Sequence, residues 1–201
     1  MFLTLCLAGS LLVQTPSGAS SSPWRTFASP KGGYTVSLPG EAVEDEKEVV
    51  SPNGKQVPVR TMICDAEGVR YSIVRVPLPV VIGFDERTKF FKGNIDGMVK
   101  RDKGKLVAEK AITDVGQPCH EVTYVAPRDD GRVTMLVRTR MYIFGGNYYT
   151  QTITGPKDAF PASAATQYFQ SFRFGGGQDT TKANTKPGPP TVKSRPSGPD
   201  R

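Results

Sequence analysis

The sequence predicts an α+β fold: a mainly antiparallel six- to seven-stranded sheet packed by two helices, an α/β/α sandwich. Three observations lead there. Stretches of alternating apolar and polar residues recur between clusters of Gly, Pro, Asn and Asp, the pattern of strands separated by turns. Two other stretches carry apolar residues at helical spacing instead. The resulting order, β-β-β-α-β-β-β-β-α, joins strands mostly by short turns, which favours antiparallel neighbours with helices laid on the sheet.

Taken in order, Trp24-Arg25-Thr26-Phe27 is a short extended piece and Ser29-Pro30-Lys31-Gly32-Gly33 a turn. Tyr34 to Leu38 alternates as a strand and Pro39-Gly40 ends it. Glu41, Glu44, Asp45, Glu46 and Glu48 then form an acidic stretch that reads as a solvated loop, followed by the turn Ser51-Pro52-Asn53-Gly54. Gln56 to Asp65 and Tyr71 to Val76 read as an antiparallel pair joined at Ala66-Glu67-Gly68. The first helix is expected from Phe84 to Arg101, with Phe84, Phe90, Phe91, Ile95, Met98 and Val99 as its apolar stripe. Lys100, Arg101 and Lys103 complement its C-terminus, and Gly104 follows. Four strands come next, Leu106 to Val115, Cys119 to Ala126, Arg132 to Phe144 and Tyr148 to Thr154. Their connections include Arg128-Asp129-Asp130-Gly131 and Gly145-Gly146-Asn147, both hairpin signals. A closing helix is expected over Asp158 to Phe172, with Pro161 tolerated in its first turn and Phe160, Ala164, Ala165, Tyr168, Phe169 and Phe172 inward.

The run Phe27-Ala-Ser-Pro-Lys-Gly-Gly-Tyr-Thr-Val-Ser-Leu-Pro-Gly40, the central helix and the closing Tyr168-Phe169-Gln170-Ser171-Phe172 resemble the PsbP-like (PsbP/Mog-type) group. The resemblance covers about Trp24 to Phe174. It implies an antiparallel sheet sandwiched by helices. It also implies an accessory or binding role, since the group includes photosystem extrinsic proteins, Ran-binding Mog proteins and secreted bacterial proteins of unknown function. The shared residues are packing and turn residues, and they bring no catalytic residues with them.

Outside the domain, expected over residues 20–174, the composition changes twice. Phe2 to Val13 is an apolar run of the length of a secretory h-region, too short to span a bilayer, and Ser17-Gly18-Ala19 offers a small-x-small cleavage pattern. Residues 1–19 therefore read as a signal peptide. No Lys or Arg precedes the run, so either the true start lies upstream or the signal is atypical. Cys6 lies too near the start for lipoprotein anchoring, and the expected address is exported, periplasmic or extracellular. Residues 175–201 are a Pro/Lys-rich stretch without apolar periodicity, expected to be disordered. Of the net charge of +7, the part up to Phe174 holds 21 basic against 17 acidic residues, and the tail holds 5 against 2. A domain carrying +4 is ordinary, which removes the compositional case for nucleic acid. The tail's Lys182, Lys186, Lys193 and Arg195 suit weak contact with a membrane surface or cell-wall polymer.

Export leaves Cys64 and Cys119. They form either a disulfide, worth about 4 kcal/mol in a chain-entropy model, or two separate buried thiols. His120 is the sole histidine, and consecutive strand residues point to opposite faces, so Cys119 and His120 should not meet. Asp129-Asp130-Gly131 lacks the further oxygen ligands of a calcium loop. No metal, cofactor or catalytic residue is expected. Arg138 and Arg140 share a strand face with Tyr142, offering either an anion or ligand platform or an exposed, salt-bridged sheet face. Three functions compete: a non-enzymatic binding or accessory module, an extracytoplasmic hydrolase using an Asp/Glu pair, and an envelope protein tethered by its basic tail. The partner is expected to be a protein or an envelope polymer.

Overall fold

Alternation at Tyr34-Thr35-Val36-Ser37-Leu38 buries every second side chain, and this strand organises one layer of the protein. The structure, a computed structural model, describes residues 24–51, 54–128 and 131–175. The expected signal, all of the expected tail but Gly175, and the turn residues Pro52, Asn53, Asp129 and Asp130 lie outside the described residues. The elements run β1 (Arg25–Ser29), β2 (Tyr34–Leu38), β3 (Val43–Val50), β4 (Gln56–Ala66), β5 (Val69–Pro77), α1 (Phe84–Arg101), β6 (Lys105–Asp114), β7 (Gln117–Arg128), β8 (Val133–Phe144), β9 (Asn147–Pro156), α2 (Ala162–Ser171) and β10 (Arg173–Phe174).

Among the described residues the strands form two sheets. Seven are ordered β3-β4-β5-β9-β8-β7-β6, and three are ordered β1-β2-β10, with antiparallel neighbours throughout. The large sheet is packed on both faces. On one, α2 and the small sheet bury Tyr34, Val36, Leu38, Tyr168, Phe169 and Phe172 against Cys64, Tyr71, Tyr142, Tyr149 and Ile153. On the other, Phe91 and Ile95 of α1 meet Val122, Tyr124, Val137, Met141 and Ile143. This is the α+β sandwich the sequence predicts, with a third layer element, the small sheet, added on the α2 side.

Local chemistry explains the boundaries. Helix α1 begins with Asp85 and Glu86 and ends with Lys100 and Arg101, charges that complement the helix dipole at each end. The β4–β5 turn places Glu67 and Gly68 at positive φ of 52° and 76°, the geometry of a tight primed hairpin. Gly32 has no room for a side chain, because a Cβ there would lie 2.3 Å from Ser29 Oγ.

Two expectations are corrected. The acidic stretch is not a loop: it is β3, the outer strand of the large sheet, exposed along its whole length. The closing helix does not start at Asp158. Pro161 drives the preceding Phe160 into extended backbone (φ −67°, ψ 120°), leaving a single 3₁₀ turn over Lys157–Ala159, and α2 starts beyond the proline.

Candidate functional site

Helix α1 packs on β7 and β8 and reaches Tyr148 near the start of β9, and the α1-side face of β4, of β5 before Val76 and of β9 beyond Tyr148 carries no helix. The ridge of α1 beside that open half-sheet makes a groove of about 910 Å³. Its walls come from Asn94, Met98 and Arg101 of α1 and from Tyr124, Ala126, Met135 and Val137 of β7 and β8. Its floor is rich in hydroxyls: Ser72 on β5, Thr139 on β8, and Thr150, Thr152 and Thr154 on β9. Strand register assembles them, since Ser72 stands opposite Thr152, and Thr152 opposite Thr139. Thr139 and Thr152 share a hydroxyl–hydroxyl hydrogen bond of 2.9 Å.

Charges on the rim are paired. Arg70 donates from Nε and Nη2 to both carboxylate oxygens of Asp65, each at 2.8 Å. The hydrogen bond from Arg70 holds the Asp65 carboxyl below its ordinary range. Arg101 Nε donates to Asp102 Oδ1 at 2.9 Å, and the Tyr124 hydroxyl donates to Asp102 Oδ2 at 2.6 Å. Burial alone would raise the Asp102 pKa, but these two donors outweigh it and the net shift is downward. Burial, reinforced by Asp102, pushes the Tyr124 hydroxyl well above its usual value. The groove thus offers hydroxyls that both donate and accept, apolar walls, and a rim whose charges are largely compensated.

The predicted platform lies on the opposite face, and it is closed. Arg140 donates to Glu121 Oε2 at 2.8 Å and to Asp114 Oδ2 at 2.9 Å, while Arg138 donates to Glu121 Oε1 at 3.2 Å. Both guanidinium groups lie over the Phe169 ring, at 5.4 Å for Arg138 and 4.7 Å for Arg140. Tyr142 has no exposed surface: its hydroxyl donates to Asp114 at 2.6 Å and its ring stacks on Phe172. The expected Arg138–Arg140–Tyr142 platform is therefore corrected to an internal network beneath α2, with its cations already spent on carboxylates.

The other singled-out residues separate as strand geometry demands. Cys119 lies in the α2-side core, whereas His120 faces α1, stacking on Phe91 at 4.7 Å. Cys64 and Cys119 carry free, buried thiols, and the bridge weighed from sequence is not made. Cys64 is on β4 and Cys119 on β7, with β5, β9 and β8 between them. Four strand spacings of about 4.8 Å place them far beyond disulfide reach. Burial raises both thiol pKa values, Cys119 to about 12.

A carboxylate pair does converge, Asp114 and Glu121, but on Arg140 rather than on a cleft. Burial would raise the Glu121 pKa, yet hydrogen bonds from Arg140 and Lys110 and the nearby guanidinium charges bring it below normal. A carboxylate so held is a poor proton donor. Among the described residues, no group of three or more His, Cys, Asp and Glu side chains could hold a metal ion, and no helix is long and apolar enough to cross a membrane.

Sequence reasoning missed the groove. A signal existed in Tyr148-Tyr149-Thr150-Gln151-Thr152-Ile153-Thr154, where a hydroxyl recurs at every second position opposite buried Tyr149, Gln151 and Ile153.

An antiparallel sandwich with one helix on each face is the architecture of the PsbP-like fold. The chain superposes on the solution structure of cyanobacterial PsbP (CyanoP) from Synechocystis sp. PCC 6803 with a TM-score of 0.53, covering 81% of this chain and 98% of that one. Identity over that match is 14%, so the likeness is one of fold. The Ran-binding protein Mog1p of Saccharomyces cerevisiae is also similar, at a TM-score of 0.45 and 13% identity, over 77% of this chain and 96% of Mog1p. No known family model matches the sequence, and no curated protein matches it.

Proposed function

We propose that the protein is an exported, non-enzymatic binding or accessory module that takes its partner, a protein or an envelope polymer, in the groove between α1 and the open half of the large sheet. The observation that carries this is the groove itself: about 910 Å³ of concave surface floored by hydroxyls on three strands and rimmed by paired ions. Such a surface recognises by hydrogen bonding and shape, and it presents no activated nucleophile. Asp114 and Glu121, the carboxylates that come together, are engaged by Arg140 on the other face, which disfavours the hydrolase reading. Export is carried by the apolar run and the small-residue pattern of residues 1–19.

The test compares capture by two immobilised proteins from the native envelope fraction: the parent chain and a Thr150→Trp/Thr154→Trp variant whose indoles fill the groove. The parent is expected to retain a component that the variant loses. Identical capture by both would place binding elsewhere and end the proposal.

A further inference from the structure

We propose that one end of the sandwich docks on an anionic lipid surface, with three apolar tips entering the interface. Among the described residues nine large apolar side chains are exposed, and six of them, Val49, Val50, Val80, Val81, Phe84 and Phe144, stand at the same end. Strand register places them there. Arg60 lies opposite Arg75, Arg75 opposite Tyr149, and Tyr149 opposite Tyr142. From that row the β3–β4 turn, the β5–α1 loop and the β8–β9 hairpin all project in one direction. Leu78 N donates to Gly146 O at 2.9 Å, tying the loop to the hairpin. Phe84 begins α1 at this end, and the helix runs to the opposite end, where Asp102 meets Tyr124.

The tips are held outward by the fold. Leu78 and Ile82 pack against the α1-side core and pin the β5–α1 loop at both ends. Between and beyond them, Val80, Val81 and Phe84 are 67%, 92% and 77% exposed and belong to neither core. Apolar side chains scattered singly over a surface are ordinary, but a cluster of them marks a contact.

Shape and charge select the occupant. The six residues stand on three separate connections, so a protein partner would have to offer each a matched pocket. A lipid interface yields to any protruding side chain. The loop from Leu78 to Gly83 and the hairpin from Gly145 to Asn147 carry no charged residue, so their entry strips water from no ion. Asp85 and Glu86 follow Phe84 but sit in the first turn of α1, where the helix dipole favours them. The chain also leaves the described residues here: Phe174 stacks on Phe144 at 4.3 Å, and Gly175 follows. Residues 176–201 hold five basic against two acidic residues, which favours anionic headgroups. Stable attachment takes two signals, and this end joins apolar tips to a basic segment.

Quenching by brominated lipid tests the orientation. Two single-tryptophan forms of the full chain are needed, Trp24→Phe/Val81→Trp and Trp24→Phe/Arg132→Trp, the second probing the β7–β8 turn at the opposite end. With vesicles of phosphatidylcholine and phosphatidylglycerol, the tryptophan at position 81 should be quenched several-fold and the one at 132 left unchanged. Residues 20–201, which lack the apolar run Phe2 to Val13, should still bind these vesicles. In that form Val80→Ser/Val81→Ser/Phe84→Ser should weaken binding about tenfold or more, with urea unfolding as in the parent. Equal quenching at both positions, none at position 81, or vesicle binding indifferent to the triple substitution would overturn the proposal. So would a soluble protein or a second copy of the chain whose binding, in the absence of vesicles, is lost in the triple variant. Neither form alters the groove, which lies on a different surface, and Thr150→Trp/Thr154→Trp should bind vesicles as the parent does.

Discussion

Replacing Glu121 by Gln tests whether the network under α2 holds the fold together. Glu121 is 4% exposed and receives Lys110, Arg138 and Arg140. These three partners are not equal. The Lys110 side chain is 61% exposed, so its pairing is screened and contributes well under 1 kcal/mol. Arg140 is 16% exposed, shares its guanidinium between Glu121 and Asp114, and lies over Phe169. Breaking a buried pair outright costs about 3–5 kcal/mol, but Gln keeps the shape and one acceptor, and Arg140 keeps Asp114. The expected loss is about 2–3 kcal/mol, or roughly 5–10 °C in Tm for a domain of this size, read by urea and thermal unfolding of the full chain. The pH dependence gives an independent check. The Glu121 pKa is depressed in the folded state, so its stabilisation is complete above the unfolded carboxylate value of about 4.3 and is lost as pH falls through the folded value. Glu121→Gln should therefore lose more stability relative to the parent at pH 7 than at pH 2–3. A loss below about 1 kcal/mol, or a loss that does not shrink in acid, would refute the role given to this network.

Phe91→Ala should cost about 3–5 kcal/mol by urea unfolding, because a 2%-exposed ring wedged between Phe90 and His120 leaves a cavity that the sheet cannot close. Cys64 and Cys119, free and buried with raised pKa values, should resist alkylation at pH 8 in the native state and react fully in denaturant, with no mass change on reduction. Rapid native labelling of either would contradict the packing described.

How much could be read in advance depended on whether a residue's partners were near in sequence. Helix α1 was legible to the residue because both ends are marked locally, by Asp85-Glu86 and by Lys100-Arg101. Strand β2 was legible because its two faces see different environments. β3 was not, because neither of its faces is buried and an edge strand in water has no reason to alternate. The two-residue β10 is too short to show a period, and its existence depends on β2, more than a hundred residues earlier. The same holds for function. That Arg138 and Arg140 share a face was visible in their spacing. That Glu121 and Asp114 consume them was not, since only the β6-β7-β8 register brings those carboxylates within reach. The hydroxyl floor is split over three strands and existed in sequence only as the Thr150, Thr152, Thr154 alternation.

Antiparallel sheets often leave one face to water, and the open half of the α1-side face is such a surface by position. Three features separate this surface from an ordinary wet face. It is concave, since α1 stands along one side of it as a wall. Its floor carries short hydroxyls in place of the long charged side chains that coat β3. Long charged residues solvate an exposed sheet and repel neighbours; short hydroxyls leave the backbone plane approachable. The long side chains that border it, Arg70 and Arg101, are each tied back to a carboxylate, so they frame the groove without reaching across it. Most of the buried apolar residues of β5 and β9, Tyr71, Ile73, Tyr149 and Ile153, point to the α2 side, and Tyr148 alone of these strands' buried aromatics packs under α1. The α1-side face is thus divided along the sheet: β7 and β8 pack against α1, and an approachable surface lies beside it over β5 and β9. Thr150 and Thr154 are half-buried and belong to neither core, which is why the Thr150→Trp/Thr154→Trp variant separates loss of binding from loss of structure.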